Sequence, residues 1–235
     1  MAGSPASRFE PALLAGLDEP VRRYFNHAIR DGAALPTAMR LTMAGRIKVG
    51  AWLPFTARQE IDGRSFVWRA RVGAGPLTVL DVTDRYADGA GATEGRLFGR
   101  LTLFHADDRD TTRSAAGRTA LESVFAPAAA LPHDGVTWRA ETDDHIVATH
   151  DLPPERPEVH LRIDDRGAVH RVSALRWGNA GQKAFGYIPF GCEVHAERRF
   201  GDITIPSSLT VGWWFDTPRY APFFRADIGD AEPAA

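Results

Sequence analysis

The segment Glu193-Val-His-Ala-Glu197 carries three groups capable of proton or metal chemistry at every second position. On a strand, Glu193, His195 and Glu197 share one face, each about 6.6 Å from the next. An acid on either side of an imidazole orients it, raises its pKa and readies it for proton transfer. Two oxygens and a nitrogen in a row also suit a divalent cation. The plainer account is a solvated outer face. Cys192, Val194 and Ala196 alternate with the row and would point inward, and Arg199 continues it. That account is preferred, and neither a metal nor a cofactor is expected.

A second candidate is Tyr187 with Asp84, Tyr86 and Trp177, since a tyrosine and a carboxylate meeting in an apolar pocket form an acid–base pair. Spacing alone does not bring them together. Residues 186–191 read as a glycine-bounded loop, either a lid or a rigid turn. A third candidate is the stretch 66–71, where Trp68 alternates with Arg69 and Arg71. Arginine at a cavity mouth can hold a carboxylate through two bonds. The competing account is a wet strand face with cross-strand ion pairs to Glu60, Asp81 or Asp84. Arg118 and Glu122, four apart, are set to pair on one helix face. No Walker loop, nucleophile elbow or His-Glu-x-x-His motif occurs.

These residues need a frame. Helical spacing predicts an amphipathic helix that starts at Asp18 and Pro20, carries Val21, Tyr24, Phe25 and Ile29, and ends at Gly32. From residue 37 the period falls to two, predicting strands at 37–49, 55–61, 65–72 and 77–86, with turns at Asp62-Gly63 and Asp88-Gly89. Residues 93–104 read as one long or bent strand with Gly95 and Gly99 as bulges. Residues 110–131 interrupt with a helix capped by Asp110 or Thr111. It buries Ala116, Ala120 and Val124, and Pro127 begins a short second helix. Strands then return at 136–141, 145–150, 158–163, 168–177, 190–200 and 203–215, with a further one at 223–228. Residues 1–9 are expected to be a flexible tail and 10–235 a single domain. The fold class is α+β, mainly β: one curled, predominantly antiparallel sheet, a half-barrel with an N-terminal helix and a helical insertion.

The composition excludes other classes. In 235 residues, 44% are hydrophobic and 25% charged, an ordinary globular balance. The net charge of −2 lacks the basic excess of a nucleic-acid binder. No run approaches the ~18 apolar residues of a membrane span, so no stable membrane insertion is expected. One cysteine, Cys192, allows no internal disulfide. No signal peptide is read at the start of the sequence, and the expected location is cytoplasmic.

Seven segments carry a family resemblance: residues 50–59 (GAWLPFTARQ), 66–71 (FVWRAR), 113–118 (RSAAGR), 176–179 (RWGN), 185–191 (FGYIPFG), 200–207 (FGDITIPS) and 212–215 (GWWF). They resemble an uncharacterised bacterial family known as a domain of unknown function. That family supplies no established activity to carry over. The order of elements is also similar to the lipoprotein-carrier half-barrels of the LolA and LolB type, which implies an apolar concavity that takes acyl chains. This sequence lacks their lipid-attachment cysteine.

A wide curled sheet bearing many large aromatics, with only two helical segments to cover it, leaves a cavity. The expected ligand is an apolar or amphipathic small molecule or lipid, touched by Trp68, Arg69, Tyr86, Phe98, Trp177, Trp213 and Phe215. The alternative is a small-pocket enzyme of isomerase, cyclase or lyase type. It would use His195 with Glu193 or Glu197, or Tyr187 with Asp84. A third reading is an interaction module that pairs through an exposed sheet edge. The sequence leaves the oligomeric state open.

Overall fold

The computed structural model of the protein describes residues 8–73 and 80–234. Period-two burial builds the first strands. β1 (Met39–Val49), β2 (Ala51–Ile61) and β3 (Phe66–Val72) bury every second side chain over much of their length. Between β2 and β3, Asp62 Oδ1 accepts hydrogen bonds from the amides of Arg64 at 2.9 Å and Ser65 at 2.6 Å. β4 (Leu80–Ala87) turns into β5 (Ala90–Leu97) through Asp88 and Gly89, both at positive φ (51° and 74°), the geometry a tight two-residue hairpin favours. The first three residues of the strand expected from residue 77 lie outside the described residues, as do residues 1–7 of the expected tail. Phe9, the last residue of that tail, is buried and donates its amide to the Ala33 carbonyl at 2.8 Å.

The single strand expected over residues 93–104 is corrected. Phe98 and Gly99 both adopt positive φ (51° and 68°) and reverse the chain into β6 (Leu101–Ala106). The pairing of β5 with β6 slips at Gly95/Arg96, and the Phe104 ring fills the space that Gly95 leaves without a side chain.

After β6, Asp108 caps α2 (Arg109–Leu121), its carboxylate accepting from the Thr111 amide at 2.8 Å. Asp108 thus takes the capping role expected of Asp110 or Thr111. The helix tightens into a 3-10 turn at Glu122–Phe125, ahead of Pro127. Seven strands follow: β7 (Val136–Thr142), β8 (His145–His150), β9 (Glu158–Ile163), β10 (Val169–Gly178), β11 (Gly186–Phe200), β12 (Ile203–Trp213) and β13 (Ala221–Pro233). The loop expected at 186–191 is the first part of β11. Tyr187 pairs there with Trp177, and Pro189 with Leu175.

Among the described residues, thirteen strands form one antiparallel sheet, ordered β6-β5-β4-β3-β2-β1-β13-β12-β11-β10-β9-β8-β7. β1 and β13 pair at its centre and join two meanders. α2 connects one sheet edge to the other and packs on both β5 and β10. Those strands stand eight places apart in the sheet, about 38 Å if it were flat. A helix of 13 residues is only about 20 Å long, so the sheet must curl around it. This is the expected half-barrel, with the helical insertion lying in its concavity.

Small residues let α2 sit close to the sheet. A Cβ on Gly91 of β5 would lie 2.7 Å from the Ala115 Cβ, while Ala116 and Ala120 are fully buried on the helix. The first helix, α1 (Glu19–Ala28), closes another part of the structure. Its Tyr24 and Phe25 pack on Trp138 of β7, with ring centroids 5.5 and 5.1 Å away.

Candidate functional site

Between α2, its 3-10 extension and the curled face of the sheet lies a cavity of about 310 Å³. Its wall is mainly apolar. Met43 and Ile47 come from β1, Phe224 from β13, Leu209 from β12, Phe190 from β11 and Val124 from the 3-10 turn. Alternation on each strand is what sends these side chains inward. Phe190 and Trp213 meet edge to face at 4.7 Å.

Into this wall are set Asp84 from β4, Gln59 from β2, Arg118 from α2, Glu122 from the 3-10 turn and Arg176 from β10. Arg118 holds both carboxylates. Its Nη1 donates to Asp84 at 2.6 Å and its Nε to Glu122 at 2.8 Å. The other Glu122 oxygen accepts from Gln59 Nε2 at 2.6 Å. The guanidinium also lies over Phe66 at 4.6 Å and Trp68 at 5.1 Å. Burial works against the Arg118 charge, but Glu122 and Asp84 outweigh it and hold its pKa above the ordinary value.

Arg176 is placed differently. Its Nε donates to the Ser114 carbonyl at 3.0 Å and its Nη2 to the Ser114 hydroxyl at 3.2 Å. It lies over Phe190 at 4.6 Å and Trp213 at 5.2 Å. Burial first, and the nearby Arg118 charge second, pull its pKa down to about 10. Arg176 is half-buried and lines the cavity. At neutral pH it remains a cation. Cys192 lines the same cavity, and burial pushes its thiol up to about 12, which makes it a poor nucleophile.

Three of the residues expected to act on or touch a ligand reach this cavity: Trp68, Asp84 and Trp213. The others lie elsewhere. The shared face expected for Glu193, His195 and Glu197 is corrected, because register shifts at Val194/Ala196 and Ala196/Glu197 break the alternation. His195 is exposed and bonds to the Thr210 hydroxyl of β12 at 2.9 Å. Glu197 accepts from the Val169 amide at 2.9 Å and lies 2.7 Å from His27 of α1. Glu193 pairs across the sheet with Arg171 and Thr210.

Tyr187 is 53% exposed and does not meet Asp84. It donates to Glu155 at 2.6 Å, accepts from Arg113 at 3.0 Å and packs against Trp177 at 5.1 Å. Trp177 itself donates to Asp110 at 2.8 Å, with Arg113 stacked 3.4 Å above its ring. Tyr86 is buried, but its hydroxyl is used by the Pro153 carbonyl at 2.5 Å. Arg69 sits on the exposed face of β3, beside Arg71, whose partner is Asp81 at 3.6 Å. Phe98 is 63% exposed at its turn. Phe215 covers Gly191 and packs on Tyr220, away from the side of β11 that bears Phe190 and Cys192.

Gln59, Arg118, Glu122 and Arg176 are cavity residues not anticipated as such. A signal existed for two of them. Gln59 is in phase with buried Phe55, Ala57 and Ile61, and Arg176 with buried Val172 and Ala174. A polar side chain at an inward register is the informative exception in such a pattern. Arg118 and Glu122 pair as their spacing predicts, facing the cavity.

A half-barrel with a helical plug and an apolar, partly charged cavity is the class this geometry defines. The chain belongs to a family of unknown function (DUF6544), whose model matches residues 7–226. No curated protein matches it. Solved structures similar to it include a DUF1329 family protein from Desulfovibrio piger, 11% identical with a TM-score of 0.47, covering 92% of this chain and 94% of that one. A LolA superfamily protein from Nitrosomonas europaea is 6% identical with a TM-score of 0.47, covering 92% of each chain. A domain described as an outer membrane lipoprotein-sorting protein, from Vibrio parahaemolyticus, is 9% identical with a TM-score of 0.46, covering 83% of this chain and 84% of that one. The cytoplasmic location expected from the sequence is withdrawn, since one of these similar structures is described as an outer membrane lipoprotein-sorting protein domain. Among the described residues, no helix is long and apolar enough to cross a membrane.

Proposed function

We propose that the protein binds an apolar or amphipathic small molecule, a lipid or a molecule like it, in the cavity between α2 and the curled sheet. The observation that carries this reading is the cavity itself, about 310 Å³ walled chiefly by aliphatic and aromatic side chains. Well-packed interiors leave few voids larger than a water molecule, and small-molecule sites start at roughly this size. An apolar ligand would regain the dispersion contacts that the cavity lining now lacks.

The enzyme alternative finds less support. Of the five residues expected to act as acid or base, only Asp84 lines the cavity, and its carboxylate is held by Arg118 at 2.6 Å. Organic extraction of freshly purified protein, followed by mass spectrometry, tests the binding reading. Recovery of an apolar or amphipathic compound in near-stoichiometric amount is expected. Extracts indistinguishable from buffer, from protein that also takes up no added amphiphile, would remove it.

A further inference from the structure

We infer that the cavity's ligand is an anionic amphiphile, a long-chain monocarboxylic acid, whose head group is received by Arg176. This rests on the binding reading above and adds the chemistry of the head group.

The two cavity arginines differ in what they are given. Arg118 has Asp84 and Glu122 in direct contact at 2.6 and 2.8 Å. Among the described residues, Arg176 has no carboxylate within ion-pair distance. Its polar contacts stop at the carbonyl and hydroxyl of Ser114, which engage Nε and Nη2, and Nη1 makes no hydrogen bond to a described residue. A guanidinium carries five N–H donors in a rigid fork suited to a carboxylate. Phe190 and Trp213 offer their ring faces to the charge but give no acceptor. Of the surrounding charges, Arg118 disfavours it, while Asp84 and Glu122, out of contact, favour it. A cation that lines an apolar cavity with no acid in contact is incompletely paired, and an anionic head group would complete the pairing.

A second donor in the same wall is also short of an acceptor. Trp68 is 4% exposed, and its indole N–H has no hydrogen-bond partner among the described residues. Buried donors of this kind are uncommon in folded proteins. Apolar side chains extend away from Arg176 along one wall of the cavity. Trp213 stands beside Arg176, and Leu209 lies four residues back along β12, about 13 Å away. Met43 and Ile228, paired across β1 and β13, continue the apolar wall beside Leu209 and Ala226. A head group at Arg176 would therefore leave an alkyl chain running along apolar side chains.

The test compares dodecanoate with dodecanol, which shares the chain and lacks the charge. Both are titrated below their aggregation limits into the full protein at pH 8, with tryptophan fluorescence or calorimetry as readout. Dodecanoate should bind at least ten-fold more tightly, as a charge-assisted two-bond contact allows. Arg176→Met should abolish that preference while keeping dodecanol affinity, which also verifies that the variant is folded. Arg176→Lys should retain part of the preference. Equal affinity of the wild type for the two compounds would overturn the head-group inference and leave the binding reading standing. Binding of neither would overturn both. An unchanged preference in Arg176→Met would move the head group away from Arg176 and overturn the assignment.

Discussion

The two faces of the sheet use the same kinds of side chain to different ends. On the inner face, Asp84, Arg118, Glu122 and Gln59 form a chain of hydrogen bonds of 2.6–2.8 Å drawn from two strands, a helix and a turn. On the outer side of β11, His195 is exposed, with one bond to a threonine on the next strand. What separates them is α2. By lying in the concavity it removes water from one set of charges, and Asp84, Arg118 and Glu122 pair with one another there, while Arg176 has only Ser114. Charges on the open face stay hydrated and need none. A row of chemically capable residues on one strand is therefore weaker evidence of a site than a polar residue in phase with a buried face.

The largest effect that can break this comparison is loss of Arg118. Arg118→Met leaves Asp84 and Glu122 against an apolar wall without their cation. The three side chains keep 15–30% of their surface accessible, which tempers the cost to about 2–3 kcal/mol. Urea unfolding should show the midpoint fall by the corresponding amount. We further propose that residues 10–235 unfold as one domain, so a single transition is expected.

An effect of comparable size comes from a buried histidine. His150 is buried beside Ser123 of the 3-10 turn, and burial, with a smaller part from His133, lowers its pKa to about 4. The unfolded chain binds that proton near pH 6.5 and the folded chain only near 4. The stabilisation is therefore complete above pH 6.5 and is lost as pH falls towards 4, by an amount of order 3 kcal/mol. Chemical unfolding at several pH values should show that slope, and His150→Gln should flatten it.

The smallest effect belongs to the outer face. His195→Ala should alter stability by less than about 0.5 kcal/mol, because a solvated bond is exchanged for water. Its ligand content should equal the wild type's. A loss of bound ligand in this variant would reverse the assignment of the two faces.

Much of the frame can be read from the chain because its signals are local. Period-two burial and the Asp62-Gly63 and Asp88-Gly89 turns identify the early strands, and α1 follows from Asp18, Pro20 and its apolar spacing. Departures come where one residue type has two uses. Gly99, with Phe98, makes a hairpin where a strand glycine suggests a bulge. Gly186, Pro189 and Gly191 resemble loop punctuation but lie in β11, whose pairing with β10 continues through them. The site is less legible. The Arg118–Glu122 pair is four residues apart and visible as such, but Gln59 meets Glu122 across 63 positions and Arg118 meets Asp84 across 34. Those meetings depend on the path of α2 across the curled sheet, which no window of sequence contains.

The central claim is that the enclosed space holds a ligand. Native mass spectrometry of the wild type, Val211→Trp and His195→Ala, each shown to be folded by its thermal transition, tests it most directly. Val211 lines the cavity, so an indole there occupies the ligand's volume. The account predicts that dodecanol or a co-purified amphiphile adds mass to the wild type and to His195→Ala, and that Val211→Trp carries none. Wild-type protein that takes up neither, or a filled variant that binds as well as the wild type, would contradict it.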